Sequence, residues 1–436
     1  MSKNPQIFHG EWWVPAVADR DTRMTFLQPE GMMGHERKYT GTLTYDGDED
    51  STLELYHVPS NFHSKHYCQN DVIWGRDSNG NIFTLFNVMM KEKRGFDFSS
   101  VTYVVGVILI GEHVLSPSEE WTKRCVVYFP YLNNWMFNET QHFVTAHFSE
   151  NSFQLNAAFN ERKLSDITID NETYLRLFYR NEIENSIEGY KINRKPYFEI
   201  ETSTPKSLDY YLKLISEFEQ FLSIALYSEQ NHSEIEFLDR NGDIRETCKL
   251  LVKQEPSEDP SFSSLIKFGI LREKLPKMLN TWHTNFEKIA PISSYLIESL
   301  QKKNRFDVPD FLIIAQALDG YHKRFVNSKS LINHKKYEDG IKILLKQFKD
   351  VECIQKCKIN PQVLTQTRDK YSHLLTDEDK PLAVEGEDLY WLTEKCKILL
   401  TCCILNMLGL TNEEINLCCE QSPISQIIDS LPLEID

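Results

Sequence analysis

The hydrophobic period of this chain changes once, at Ser207, and that change limits the folds open to it. Before Ser207 the apolar residues come in short β-branched and aromatic runs. These are Tyr39–Tyr45, Thr52–His57, Ile82–Met90, Val101–Ile110, Cys125–Phe129, His142–His147 and Tyr197–Thr202. Turn signals separate some of them, Asp46-Gly47-Asp48-Glu49-Asp50 and Asp77-Ser78-Asn79-Gly80-Asn81 among them. Many short strands without helical periods between them predict an antiparallel β-rich module, sandwich-like or barrel-like. After Ser207, Leu208, Tyr211, Leu212, Ile215, Phe218, Leu222 and Leu226 recur mostly at three- and four-residue steps, the apolar stripe of a helix. One more hairpin comes next, Ile235–Leu238 and Ile244–Val252, turned on Arg240-Asn241-Gly242. Gln254 to Ser261, acidic and holding two prolines, reads as a linker, and most of the chain beyond it is helical in pattern. An α+β chain is therefore expected, with a β-rich region over residues 1–255 and an α-helical region over residues 262–436. At 436 residues the chain exceeds what one core normally organises.

Charge narrows the function. The chain carries 48 basic and 64 acidic residues, a net of −16, which argues against a protein that coats nucleic acid nonspecifically. The distribution is uneven, however. Residues 1–300 hold 30 basic and 43 acidic groups, and residues 374–436 hold 3 and 13. Residues 301–373 hold 15 basic and 8 acidic groups, with Lys323, Arg324, Lys329, Lys335, Lys336, Lys342, Lys346 and Lys349 among them. Polyanions are thus expected at one groove and repelled elsewhere.

The N-terminal residues show no apolar signal core, and the longest apolar stretch, Ile398 to Leu410, is too short for a bilayer, which needs ~20 residues. A soluble cytoplasmic protein with no membrane partner is expected. The ten cysteines include no CxxC pair, so they read as free, buried small hydrophobes. His63, His66 and Cys68 lie close together but lack a second ligand pair, and packing is the favoured reading over zinc. No metal and no cofactor is expected.

The stretch that carries chemistry starts at Asn360, an N-cap with Pro361 at the first helical position. The helix is expected to run to Leu374 and stop in the loop Thr376-Asp377-Glu378-Asp379-Lys380-Pro381. Leu364, Arg368, Tyr371 and Leu375 then share one face, which sets a guanidinium in an apolar stripe. Such a group needs a carboxylate, a subunit interface or an anionic ligand. His373 lies ~140° around an ideal helix from Arg368, but it falls where the helix ends and the backbone can turn.

Arg368-Asp369-Lys370-Tyr371-Ser372-His373 resembles the Arg-polar-x3-His signature of HEPN domains, the helical RNases of toxin and antiviral systems. Phe311–Arg324 (FLIIAQALDGYHKR) is similar to a helix of the ApeA-like HEPN family, and Asp388–Leu410 to that family's closing helix. Phe8-His9-Gly10-Glu11-Trp12-Trp13-Val14-Pro15 and Thr40-Gly41-Thr42-Leu43 resemble the start of the ApeA N-terminal domain. The resemblance implies a β-rich N-terminal sensor or regulator and an all-α HEPN bundle over residues of about 306–412. It further implies a dimeric or higher-order, metal-independent endoribonuclease that acts as an abortive-infection effector against phage. Arg368 and His373 are its implied catalytic residues, and Asp369, Tyr371 and Ser372 support them. Lys370, His322, Lys323 and Arg324 are candidate RNA contacts. RNA is the implied substrate, tRNA among the candidates, and a phage-derived component the implied trigger.

Two residues depart from the family pattern. Asp369 stands where HEPN motifs often have Asn, and Asp319 where the neighbouring helix tends to have Glu. The competing reading is a non-enzymatic HEPN-fold scaffold or ligand-sensing binding protein. Separately, Trp12-Trp13 is a candidate ligand contact, whereas a hydrophobic pair covering a sheet is its favoured role.

Overall fold

A computed structural model of the chain describes residues 5–15, 38–47, 49–59, 72–94, 98–136, 143–149, 152–158, 165–186, 189–238, 247–253, 257, 259, 263–301, 307–326 and 336–432. The turn at Arg240-Asn241-Gly242, the His63/His66/Cys68 group, Lys329, Lys335 and most of the 254–261 segment lie outside these residues.

Six strands open the fold: β1 (Gln6–Trp13), β2 (Tyr39–Tyr45), β3 (Ser51–Pro59), β4 (Val72–Asp77), β5 (Ile82–Arg94) and β6 (Phe98–Ile110). They lie in the order β6-β3-β2-β1-β4-β5, and β5 pairs again with β6. All these pairings are antiparallel, so the ring closes into a barrel, the second of the two arrangements expected. Closure removes the free edges that an open sheet would expose. Alternate residues fill its interior: Leu43, Leu53, Leu55, Phe83, Leu85, Val101 and Tyr103 are buried around Trp12. The Trp12-Trp13 pair is therefore packed, with no ring face left open to a ligand. Between β4 and β5, Asp77 Oδ1 accepts from the backbone N–H of Asn79 (2.9 Å) and Asn81 (2.8 Å), and Gly80 takes φ +87°.

Gly75 faces the barrel tryptophan so closely that a Cβ there would lie 2.1 Å from Trp12 Cε3. Gly75→Ala is expected to destabilise the chain by about 1–3 kcal/mol through overpacking. A denaturant midpoint lowered at constant slope checks this, and an unchanged midpoint contradicts it.

β6 joins the barrel to a longer sheet. Val105 pairs with Ser51 of β3, but from Val107 onward β14 (Thr247–Val252) lies on that side. The sheet continues through β13 (Glu234–Leu238), β7 (Thr122–Tyr128), β12 (Gly189–Lys206), β11 (Thr173–Ser186) and β10 (Ser165–Thr168). β8 (Phe143–Ser149) and β9 (Ser152–Ala158) form a separate hairpin. Two short helices, α1 (Leu132–Met136) and α3 (Phe268–Leu271), flank the sheet, and Trp135 of α1 packs edge-on against Phe268 of α3.

The helical stripe read from the sequence becomes α2 (Leu208–Leu226), whose first turn is capped by Ser207 Oγ accepting from Tyr210 N–H. Phe218 of α2 stacks on Phe198 of β12 with ring centroids 3.9 Å apart. On its other side α2 meets α4 (Leu275–Gln301): Trp282 Nε1 donates to the Glu217 carbonyl at 2.8 Å. The remaining helices are α5 (Val308–Tyr321), α6 (Tyr337–Gln347), α7 (Glu352–Cys357), α8 (Pro361–His373), α9 (Gly386–Met407), α10 (Asn412–Glu420) and α11 (Pro423–Asp429). A single π-helical turn, His322–Val326, extends α5. From Cys396 to Leu405 every residue of α9 is buried, as befits the central helix of a bundle. Among the described residues, no helix is long and apolar enough to cross a membrane. One apolar core runs from the long sheet through α2 and α4 into this bundle, while the barrel keeps a core of its own.

Candidate active site

Local chemistry starts and stops α8 where the sequence predicts. Asn360 Oδ1 accepts from Gln362 N–H at 2.9 Å and Val363 N–H at 3.4 Å, and Pro361 opens the helix. At the other end Leu374 turns left-handed (φ 53°). Its N–H and that of Leu375 both reach the Lys370 carbonyl. His373 is thus the last helical residue, and its side chain is exposed.

Arg368 sits one and a half turns earlier, half-buried. Its Nη1 donates to Asp369 Oδ1 at 2.9 Å, and its guanidinium lies 5.2 Å from the centre of the Tyr337 ring. Tyr337 itself is anchored, donating its hydroxyl to the Ala315 carbonyl of α5 at 3.2 Å. Asp369 Oδ2 takes a second cation, Lys380 Nζ, at 3.1 Å. Burial works against charge on Asp369, but hydrogen bonds from Arg368 and Lys380 outweigh it and hold the carboxyl below its ordinary range. The guanidinium on the apolar stripe therefore has the carboxylate its position demands, and an aromatic face besides.

The segment after α8 folds back along it. Leu382 N–H donates to Gln366 Oε1 at 2.9 Å, Val384 N–H to Thr367 Oγ1 at 3.1 Å, and Tyr371 Oη to the Val384 carbonyl at 3.2 Å. Lys370 lies between Asp377 and Glu385 and bonds to both. Those two carboxylates hold its ammonium in the charged form, above the ordinary lysine range.

The candidate residues thus fall into distinct surroundings. Arg368 and Asp369 are joined directly, and Tyr371 pins the returning segment. Ser372 and His373 are exposed at the helix end. Lys370 spends its charge on Asp377 and Glu385 rather than presenting it to a ligand. Lys323 and Arg324 are exposed; Lys323 pairs with Asp319 at 2.7 Å, and Arg324 donates to the Lys288 carbonyl at 2.7 Å. His322 is only 5% exposed and its ring packs against Gly340. Sequence reasoning missed Tyr337 and Lys380, which hold Arg368 and Asp369 from outside α8. The basic window is also partly neutralised, since Lys342 pairs with Glu338 and Lys356 with Glu352 one turn apart.

A β-barrel with a sheet extension, a bundle behind it and an Arg–His helix at the bundle's edge call for comparison with known families. The model of ApeA N-terminal domain 1 matches residues 7–282, and that of the Apea-like HEPN domain matches residues 312–414. The chain belongs to the ApeA-like HEPN family of defence proteins. No curated protein and no solved structure matches it. The ApeA N-terminal match covers the barrel, the long sheet and α2, and it ends inside α4 at Trp282. The HEPN match begins inside α5 and ends inside α10, so it contains α8 whole, with Arg368 and His373.

Proposed function

We propose that this ApeA-like HEPN protein is a metal-independent endoribonuclease that acts against phage by cleaving RNA in the infected cell. The observation that carries the reading is Arg368. A half-buried guanidinium, braced by Tyr337 and Asp369, stands on the same helix as an exposed terminal imidazole.

Those two groups suggest the chemistry. A base takes the proton from a ribose 2′-OH, and O2′ bonds to the adjacent phosphorus. The P–O5′ bond breaks, and an acid delivers a proton to the leaving O5′. Products are a 2′,3′-cyclic phosphate and a 5′-OH end. Histidine suits both proton transfers, because an imidazole can both take and give a proton. Arg368 suits the phosphoryl oxygens, since its planar fork pairs with them and keeps its charge. A bound phosphate exchanges with Asp369 for the guanidinium, and Lys380 remains to hold Asp369. A two-fold dimer of the bundles supplies the second imidazole, so that one His373 acts as base and the other as acid. The exposed Lys323 and Arg324 extend the path of the RNA backbone. The β-barrel and long sheet restrain or trigger the nuclease, since unrestrained RNA cleavage harms its host.

The expected result in a bacterial host is that wild type limits phage propagation while His373→Ala does not. Plaque counts read it directly. Equal plaque counts, with neither protein cutting RNA after purification, sink the reading.

A further inference from the structure

Three cysteines from three helices meet in the helical bundle. Cys353 of α7, Cys402 of α9 and Cys419 of α10 are free and buried. Cys353 Sγ lies 3.8 Å from Cys402 Sγ and 3.6 Å from Cys419 Sγ, and all three sulfurs fall within 4.8 Å of one another. Thiolates bound tetrahedrally to a cation at ~2.3 Å stand about 3.8 Å apart, so each of the two spacings matches an edge of such a site. Thiols in van der Waals contact have similar spacings, and a second observation separates the two cases. A cavity of about 180 Å³ opens onto Cys353 and Cys419, with Glu352, Lys356, Asn416 and Asp429 also on its wall, Lys356 pairing with Glu352 at 2.8 Å. Sulfurs that merely fill a core gain nothing from such an opening, because each atom facing it loses contacts. A cation gains an entrance, and it gains oxygen donors or water for a fourth position.

We propose that Cys353, Cys402 and Cys419 form a three-thiolate site for a thiophilic cation, Zn²⁺ in the first instance, with its fourth position facing the cavity. Binding replaces three S–H bonds with three S–metal bonds and releases three protons; no electron is transferred. No short motif announces the site, because its ligands are drawn from residues 353, 402 and 419. Its role is structural. The cation ties α7 to α9 and α10, and α7 leads through Lys358, Ile359 and Asn360 straight into α8. The site stands independently of any reading of RNA cleavage.

The test uses the full-length, reduced chain, stripped with chelator and titrated with Zn²⁺ against a chromophoric competitor, then with Co²⁺. One equivalent of Zn²⁺ is expected, and Co²⁺ should give thiolate charge-transfer absorption with tetrahedral visible bands. Cys353→Ser and Cys419→Ser should each weaken uptake at least ~100-fold, since even outer-shell partners of a metal are worth 10–100-fold. Cys403→Ser removes a fully buried thiol outside the cluster and should bind as wild type does, with the same Zn²⁺-dependent rise in melting temperature. Substoichiometric uptake by wild type, a Co²⁺ complex without thiolate absorption, or undiminished uptake by both serine variants overturns the proposal. So does a Cys353–Cys419 disulfide in the chain as isolated from cells.

Discussion

Purified His373→Ala should keep its fold and cleave RNA on the order of 10²–10⁴-fold more slowly than wild type, the range that general acid–base catalysis contributes. The fold is spared because the side chain is exposed at the end of α8. Its melting curve should stay within about 0.5 kcal/mol of wild type, as for other surface substitutions. Arg368→Ala should lose activity comparably, but with a different signature. It removes the cation over Tyr337 and leaves Asp369 only Lys380, so RNA affinity falls with the rate. Arg368→Lys should not rescue it, since a single ammonium cannot reproduce the planar fork. A His373→Ala chain that cleaves within a few-fold of wild type would remove the imidazole from the mechanism.

The largest stability effect is expected at Lys397, deep in the central helix. Its ammonium reaches Glu394 at 2.8 Å, Asp310 of α5 at 3.3 Å and the Ser299 carbonyl of α4 at 3.1 Å. All three side chains of this network are buried. Lys397→Met fills the same space but leaves two carboxylates in the bundle without their cation. Breaking a buried pair in this way costs about 3–5 kcal/mol, because the remaining charge has lost its compensation. Lys397→Met combined with Asp310→Asn and Glu394→Gln should recover much of that loss. Denaturant unfolding monitored by circular dichroism reads both variants. A loss below about 1 kcal/mol for the single change would mean that the network carries no weight.

Features legible in the sequence are those that depend on neighbours along the chain. The Asp77–Asn81 turn and the Asn360-Pro361 start of α8 each rest on side chains a few residues from the backbone they bond. The Arg368–His373 spacing belongs to the same class. Barrel closure does not, because it depends on β1 lying between β2 and β4 and on β5 returning to β6. Strand pattern alone allows a sandwich as readily. The brace around Arg368 is equally hidden: Tyr337 comes from α6 and Lys380 from the returning segment. Counting charge locates the basic window, but it cannot show that Asp319, Glu338 and Glu352 already answer Lys323, Lys342 and Lys356. Nor can it show that Lys370 is taken by Asp377 and Glu385. The cysteines among the described residues are free and buried, as their spacing and apolar surroundings predict, yet the convergence of three of them needs three helices in place.

The central claim is that RNA's own 2′-OH is the nucleophile, served by His373 and Arg368. It is tested most directly by the ends of the cut RNA. Purified wild-type protein incubated with total bacterial RNA in buffer without added divalent cations should yield fragments with 2′,3′-cyclic phosphate and 5′-OH termini. His373→Ala and Arg368→Ala under the same conditions should yield none above background. Fragments bearing 5′-phosphate ends, or cleavage that requires added Mg²⁺, would contradict the account.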